Sequence, residues 1–284
     1  MNIRVAVAAG SAVLVLVLGA AWWQFRPGAV TQAAEATDLA TPDDGEPLPL
    51  PPVPPRIAEG ADYDHCLSML GTDPAGASSF AENWQANGGG DGAAHCRALA
   101  QIALGSPEVG AGMLEQLAAA SSRPAFARAS VYGQAEQAWM MAGEEDRAYA
   151  AGTQALALSA DDPDLRIDHA VAAAALDRYG DAIADLDVAL QLDPRRADAL
   201  VLRAVAWRHL NHLDRATDDL DRAFSINPDN PEALLERGIE RERQGNRDGA
   251  QADWARTIDL SPDSPTADLA QQNLALLEVG PDRR

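Results

Sequence analysis

A 34-residue period between Pro163 and Ser264 constrains this chain more than any other feature. The three consecutive units read PDLRIDHAVAAAALDRYGDAIADLDVALQLDPRR, ADALVLRAVAWRHLNHLDRATDDLDRAFSINPDN and PEALLERGIERERQGNRDGAQADWARTIDLSPDS. Position 8 is small in each (Ala170, Ala204, Gly238), and position 20 is alanine (Ala182, Ala216, Ala250). Position 27 is Ala189, Ala223 or Thr257, and position 32 is Pro194, Pro228 or Pro262. A unit of this length forms one helical hairpin that cannot bury its apolar face alone, so copies must stack. In the middle unit Ala216, Leu220, Ala223 and Phe224 fall at i, i+4, i+7 and i+8, one stripe of a helix. The helix before it carries Leu200, Val201, Val205, Trp207 and Leu210, a broader surface suited to burial between neighbours. The small positions let two backbones approach closely, and the prolines mark the breaks between units.

The coincidence of small, apolar and proline positions over three units resembles the tetratricopeptide-repeat (TPR) family. The resemblance implies an all-α solenoid of about five or six hairpins with a C-terminal capping helix, working as a binding surface. The unit 129–162 fits in register, with Ala148, Ala155 and Ala160 at positions 20, 27 and 32, although Glu136 departs from the small position 8. The segment 61–128 is a degenerate form. Tyr63 to Leu70 and Ala77 to Asn87 read as helices closed by Gly88-Gly89-Gly90. Ala93 to Gly105 and Val109 to Ala118 read as a hairpin with Ala98 and Gly110 at positions 8 and 20. Pro265 to Val279, with Leu269, Ala270, Leu274, Leu276 and Leu277, reads as the helix covering the last repeat, before a short tail to 284.

Ahead of the repeats, residues 1–26 hold an uncharged run from Val5 to Trp23, followed by Arg26. At about 1.5 Å per residue the run approaches the ~30 Å of a hydrocarbon core, and Trp22 and Trp23 sit where an interfacial aromatic belt belongs. This predicts a single-pass inner-membrane anchor with the repeats in the periplasm. The alternative is a cleaved signal, with Gly19-Ala20-Ala21 or Thr31-Gln32-Ala33 as the cleavage region and a soluble periplasmic product. Residues 27–60 lack periodicity and contain PLPLPPVPPR, an extended proline-rich spacer.

The net charge of −21 disfavours nucleic acid as a partner. The sequence contains no lysine, which excludes a P-loop lysine, a Schiff base and the carboxylate-clamping lysines of TPR proteins. No G-x-S-x-G, H-E-x-x-H or glycine-rich phosphate loop occurs, so neither a catalytic site nor a cofactor is expected. Cys66 and Cys96 are the two cysteines. Each falls in a first helix of successive hairpins, which lie side by side in TPR arrays, so an exported chain is expected to bridge them. Free thiols, or zinc held with His65 and His95, are the alternatives. Adjacent helical residues point about 100° apart, which works against zinc. His209 and His212 have an i, i+3 metal-holding spacing but no fixed third ligand, and Asp218, Asp219 and Asp221 read as a solvated face.

In TPR arrays positions 2, 5, 9, 12 and 13 of the first helix face the concave groove. Carried onto this sequence, the resemblance nominates Gln137, Met140 and Met141, then Ile167 and Val171. It nominates Val201, Val205, Arg208 and His209 in the next unit, and Leu235, Ile239, Glu242 and Arg243 in the last. The methionines offer adaptable apolar contact, and Arg208 and Arg243 could grip a carboxylate. The expected role is a non-enzymatic envelope adaptor binding a peptide segment of another protein, in envelope protein assembly or maturation. The alternatives are a self-associating scaffold or a metal-handling protein.

Overall fold

The computed structural model describes residues 56–279, and the apolar run at 5–23 and most of the proline-rich spacer lie outside them. Among the described residues every regular element is a helix, and there are thirteen. They pair as α1 (Ala61–Met69) with α2 (Pro74–Ala86), α3 (Gly90–Ala103) with α4 (Pro107–Ala120), and α5 (Ala125–Ala142) with α6 (Glu145–Leu158). The regular units follow as α7 (Pro163–Ala175) with α8 (Tyr179–Leu192), α9 (Ala197–His209) with α10 (Leu213–Ile226), and α11 (Pro231–Arg243) with α12 (Arg247–Leu260). A final helix, α13 (Pro265–Val279), packs against both α11 and α12. This is a stack of six hairpins with a covering helix.

Local chemistry sets the ends of these helices. Pro74, Pro107, Pro163 and Pro231 stand in the first turn, where the missing N–H costs nothing. The Asp73, Asp162, Asn230 and Asn246 side chains accept hydrogen bonds from first-turn amides, each cap worth about 1 kcal/mol. From α3 onward each first helix closes on a left-handed residue: Gly105, Gly143, Asp177, Asn211 and Gly245. This lets the next amide reach back to the carbonyl five residues earlier, as Arg178 does to Ala173 and His212 to Trp207 (both 2.9 Å). Pro194, Pro228 and Pro262 lie past the ends of the second helices, as the sequence requires.

The core runs along the stack in linked clusters. One gathers Ile57, Tyr63, Leu114, Val131 and Trp139, and another Ile167, Leu186, Leu200 and Leu220. A third joins Leu235 and Trp254 to Ala270 of the covering helix. Within a hairpin, positions 8 and 24 face each other and their sizes compensate. The pairs are Glu136 with Gly152, Ala170 with Leu186, Ala204 with Leu220, and Gly238 with Trp254. A Cβ on Gly152 would lie 2.2 Å from Glu136 Oε1, and one on Gly238 would lie 2.3 Å from Trp254 Nε1. Neither glycine has room for a side chain while its partner stays in place.

Candidate functional site

The nominated residues all come from first helices, and they separate by depth. Ile167, Val201 and Leu235 are buried to 3% exposure or less and pack between helices. Met140 and Val205 are also buried, so these five shape the surface from beneath. Val171, His209 and Ile239 are half-buried, and Met141, Glu242 and Arg243 are exposed. Gln137 donates through Nε2 to Asp168 Oδ2 at 2.7 Å, tying α5 to α7.

Arg208 differs from expectation. Its Nε donates to Glu236 Oε2 at 2.9 Å, and both side chains are largely enclosed. A guanidinium already holding a buried carboxylate is not free to capture one from a ligand. Beside it the His209 ring stacks on Tyr179, with centroids 4.3 Å apart. Burial, and then the neighbouring Arg208 charge, push the His209 imidazole down to about 4, so it is neutral at pH 7. Glu240 adds a carboxyl raised above its ordinary value, chiefly by burial, and accepts from Thr217 Oγ1 at 3.2 Å. The surface strip is therefore apolar at Met141 and Val171, and neutral aromatic at His209 and Tyr179. It becomes charged at Glu242 and Arg243.

His212 meets the Trp207 ring edge-on at 5.5 Å, and His65 meets Phe80 edge-on at 5.1 Å. His95 is buried, accepts from Tyr63 OH at 2.7 Å and donates to Gln134 Oε1 at 2.6 Å. Burial lowers its pKa, which matches a neutral ring with one donor and one acceptor nitrogen. Among the described residues no group of three metal-ligating side chains comes together. Cys66 in α1 and Cys96 in α3 are joined as a disulfide, with Cα atoms 6.2 Å apart and both side chains fully buried.

Sequence reading missed a buried charge column. Positions 7 and 23 pair a basic side chain on the first helix with an aspartate on the second: His169–Asp185, Arg203–Asp219 and Arg237–Asp253. Arg203 grips Asp219 with two parallel bonds of 2.6 and 2.7 Å, and its third nitrogen reaches Asp187 of the preceding hairpin. Arg237 grips Asp253 likewise, and Arg241 adds a 2.7 Å bond. The solvated face assigned to Asp218, Asp219 and Asp221 is thus corrected at its centre. Asp219 is 3% exposed because it lies on the inner side of α10, whereas Asp218 and Asp221 are exposed. Position 16 residues apart in one unit was the available signal, hidden among many surface acids.

No protein-family model and no curated protein matches the chain. Solved structures do. TTC0263, a TPR protein of Thermus thermophilus, aligns with a TM-score of 0.54 at 17% identity, over 67% of this chain and 100% of its own. MamA (residues 41 to end) from Desulfovibrio magneticus gives 0.53 at 18% identity, over 62% of this chain and 99% of its own. YrrB, described as a TPR protein with an unusual peptide-binding site, gives 0.50 at 17% identity, over 68% and 96%. With six stacked hairpins, the last three on a strict 34-residue period, and these likenesses, the chain has the tetratricopeptide-repeat fold.

Proposed function

We propose that this protein is a non-enzymatic scaffold of the cell envelope, tethered to the inner membrane, whose first-helix face takes up a peptide segment of another protein. The observation that carries the reading is the strip through Met141, Val171, His209, Ile239, Glu242 and Arg243. They lie on the first helices of four consecutive hairpins, Met141, His209 and Arg243 at position 13, Val171 and Ile239 at position 9 and Glu242 at position 12, and they keep exposed or half-exposed side chains. A strip that continues over the first helices of neighbouring hairpins suits a ligand that runs along the stack. YrrB, of the same fold, is described as having a peptide-binding site. The envelope location rests on the uncharged run at 5–23, the proline-rich spacer and the Cys66–Cys96 disulfide, which suits an oxidising compartment.

A photo-crosslinking residue at Met141 or Arg243 of the full-length protein in cells tests this, with Asp221 on the second helix of its unit as control. A discrete protein adduct from Met141 and Arg243 but not from Asp221 is the expected result. Adducts only with a second copy of the chain would favour a self-associating scaffold. Identical adducts from all three positions would remove this face from the account.

A further inference from the structure

Glu136 is anomalous in sequence and in structure. It occupies a position that is alanine or glycine in the three regular units, yet it is only 1% exposed. Neither carboxyl oxygen has a hydrogen-bond partner, although a buried carboxylate ordinarily collects several. Gly152 makes the space, since a Cβ there would fall within 2.6 Å of both oxygens. The charges that act on Glu136 are themselves carboxylates, Asp168 on α7 and Asp185 on α8. The donors at those groups are committed elsewhere: Gln137 to Asp168, and Arg166 and His169 to Asp185. On α6, Arg147 lies over the Trp139 ring 3.4 Å from its centroid and beside Glu115 of α4, and Tyr149 packs at a tilt against the His169 ring.

This cluster also stands at a particular place in the stack. The core built on Trp139 ends at α7, and the core built on Leu186 and Leu200 begins there. The seam between the third and fourth hairpins is where the irregular half of the array meets the regular half.

We propose that the Glu136 carboxyl is a proton-dependent latch between these halves: protonated, it lets the α5–α7 seam close, and ionised, it favours opening of the seam and a change in how the two halves are aligned. The proton removes the repulsion from Asp168 and Asp185 and lowers the cost of keeping an unpartnered carboxyl out of water. Burial first, and then those two aspartates, raise the Glu136 pKa well above its usual range. In an opened seam water returns and the group titrates near its ordinary value of about 4.3. Closing therefore takes up a proton. The closed state is favoured fully below about pH 4.3, and opening gains up to about tenfold per pH unit from there to the raised value.

The test uses the full-length protein. Amide hydrogen exchange of α5 and α7, corrected for the intrinsic pH dependence of exchange, is followed from pH 5 to pH 9, alongside infrared detection of protonated carboxyl groups. Protection at the seam should fall by up to about tenfold per pH unit in the parent protein and stay flat in Glu136→Gln. The same substitution should remove a protonated-carboxyl band that persists above the pH range in which ordinary carboxyls ionise. Asp168→Asn takes away a repelling charge, so the pH at which the fall levels off should move down. A parent band that Glu136→Gln leaves in place, or the same pH profile in parent and variant, would overturn the latch. Should Glu136→Gln fail to fold, an unmoved profile in Asp168→Asn would overturn it equally.

Discussion

In the fourth, fifth and sixth hairpins a histidine or arginine at position 7 faces an aspartate at position 23, whereas in the third hairpin both places are alanine, Ala135 and Ala151. The same pair of helices is thus joined in two ways. A bidentate arginine–carboxylate pair has one good geometry, so it fixes the rotation and the rise of one helix against the other. Two alanines permit close approach but penalise a slip only weakly. The third hairpin compensates elsewhere: α5 runs 18 residues against 13 in α7, α9 and α11, and Trp139 is clamped under Arg147. Further toward the N-terminus the link between first helices is covalent, through Cys66 and Cys96. Regular repeats here use buried charge for register, and irregular ones use length, aromatic packing and a disulfide.

The largest expected effect comes from breaking the charge column on one side. Asp219→Ala leaves Arg203, whose side chain is only 14% exposed, without its bidentate partner and should cost about 3–5 kcal/mol of local stability. Hydrogen exchange in α9 and α10 measures it. Replacing both members, Arg203→Met with Asp219→Leu, should recover most of the loss, because apolar pairs of similar volume tolerate such sites well. A double variant as weak as the single one would show that the column is not acting as a pair.

A smaller effect is expected from the size compensation at positions 8 and 24. Gly152→Leu drives a side chain into Glu136 and should destabilise α5 and α6 by about 1–3 kcal/mol. Adding Glu136→Ala rebuilds the Ala–Leu pair that the fourth and fifth hairpins already contain, at Ala170 with Leu186 and Ala204 with Leu220. The double-mutant cycle should then give a favourable coupling of at least about 1 kcal/mol. Additive losses would mean that the two positions do not share one space.

Much of the architecture was legible because the period repeats a mechanical need. Small residues at 8, 20 and 27 and a proline at 32 are what closely packed, interrupted hairpins demand, and the alanines involved are buried as that reading implies. The candidate site was legible only as positions. Nothing in the one-dimensional pattern separates Val205, buried under the surface, from Val171, which partly shows. Arg208 and Arg243 look alike in sequence, yet one is held by Glu236 from the next unit and the other is exposed. Glu136 read as a lapse in the pattern, and its meaning emerged only with Gly152 opposite. Pairings across helices, set by rotation about each axis, carry the information that periodicity lacks.

The two ends of the stack are held by different means, covalent at one end and electrostatic at the other. Hydrogen exchange along the full-length protein, compared between its oxidised form and the form with Cys66–Cys96 reduced, tests this most directly. Protection should be lost in α1, α2 and α3 and unchanged from α7 through α12, where the buried charge column sets the register. Loss of protection spread evenly along the array would contradict the claim, since it would make the disulfide a support of the whole stack.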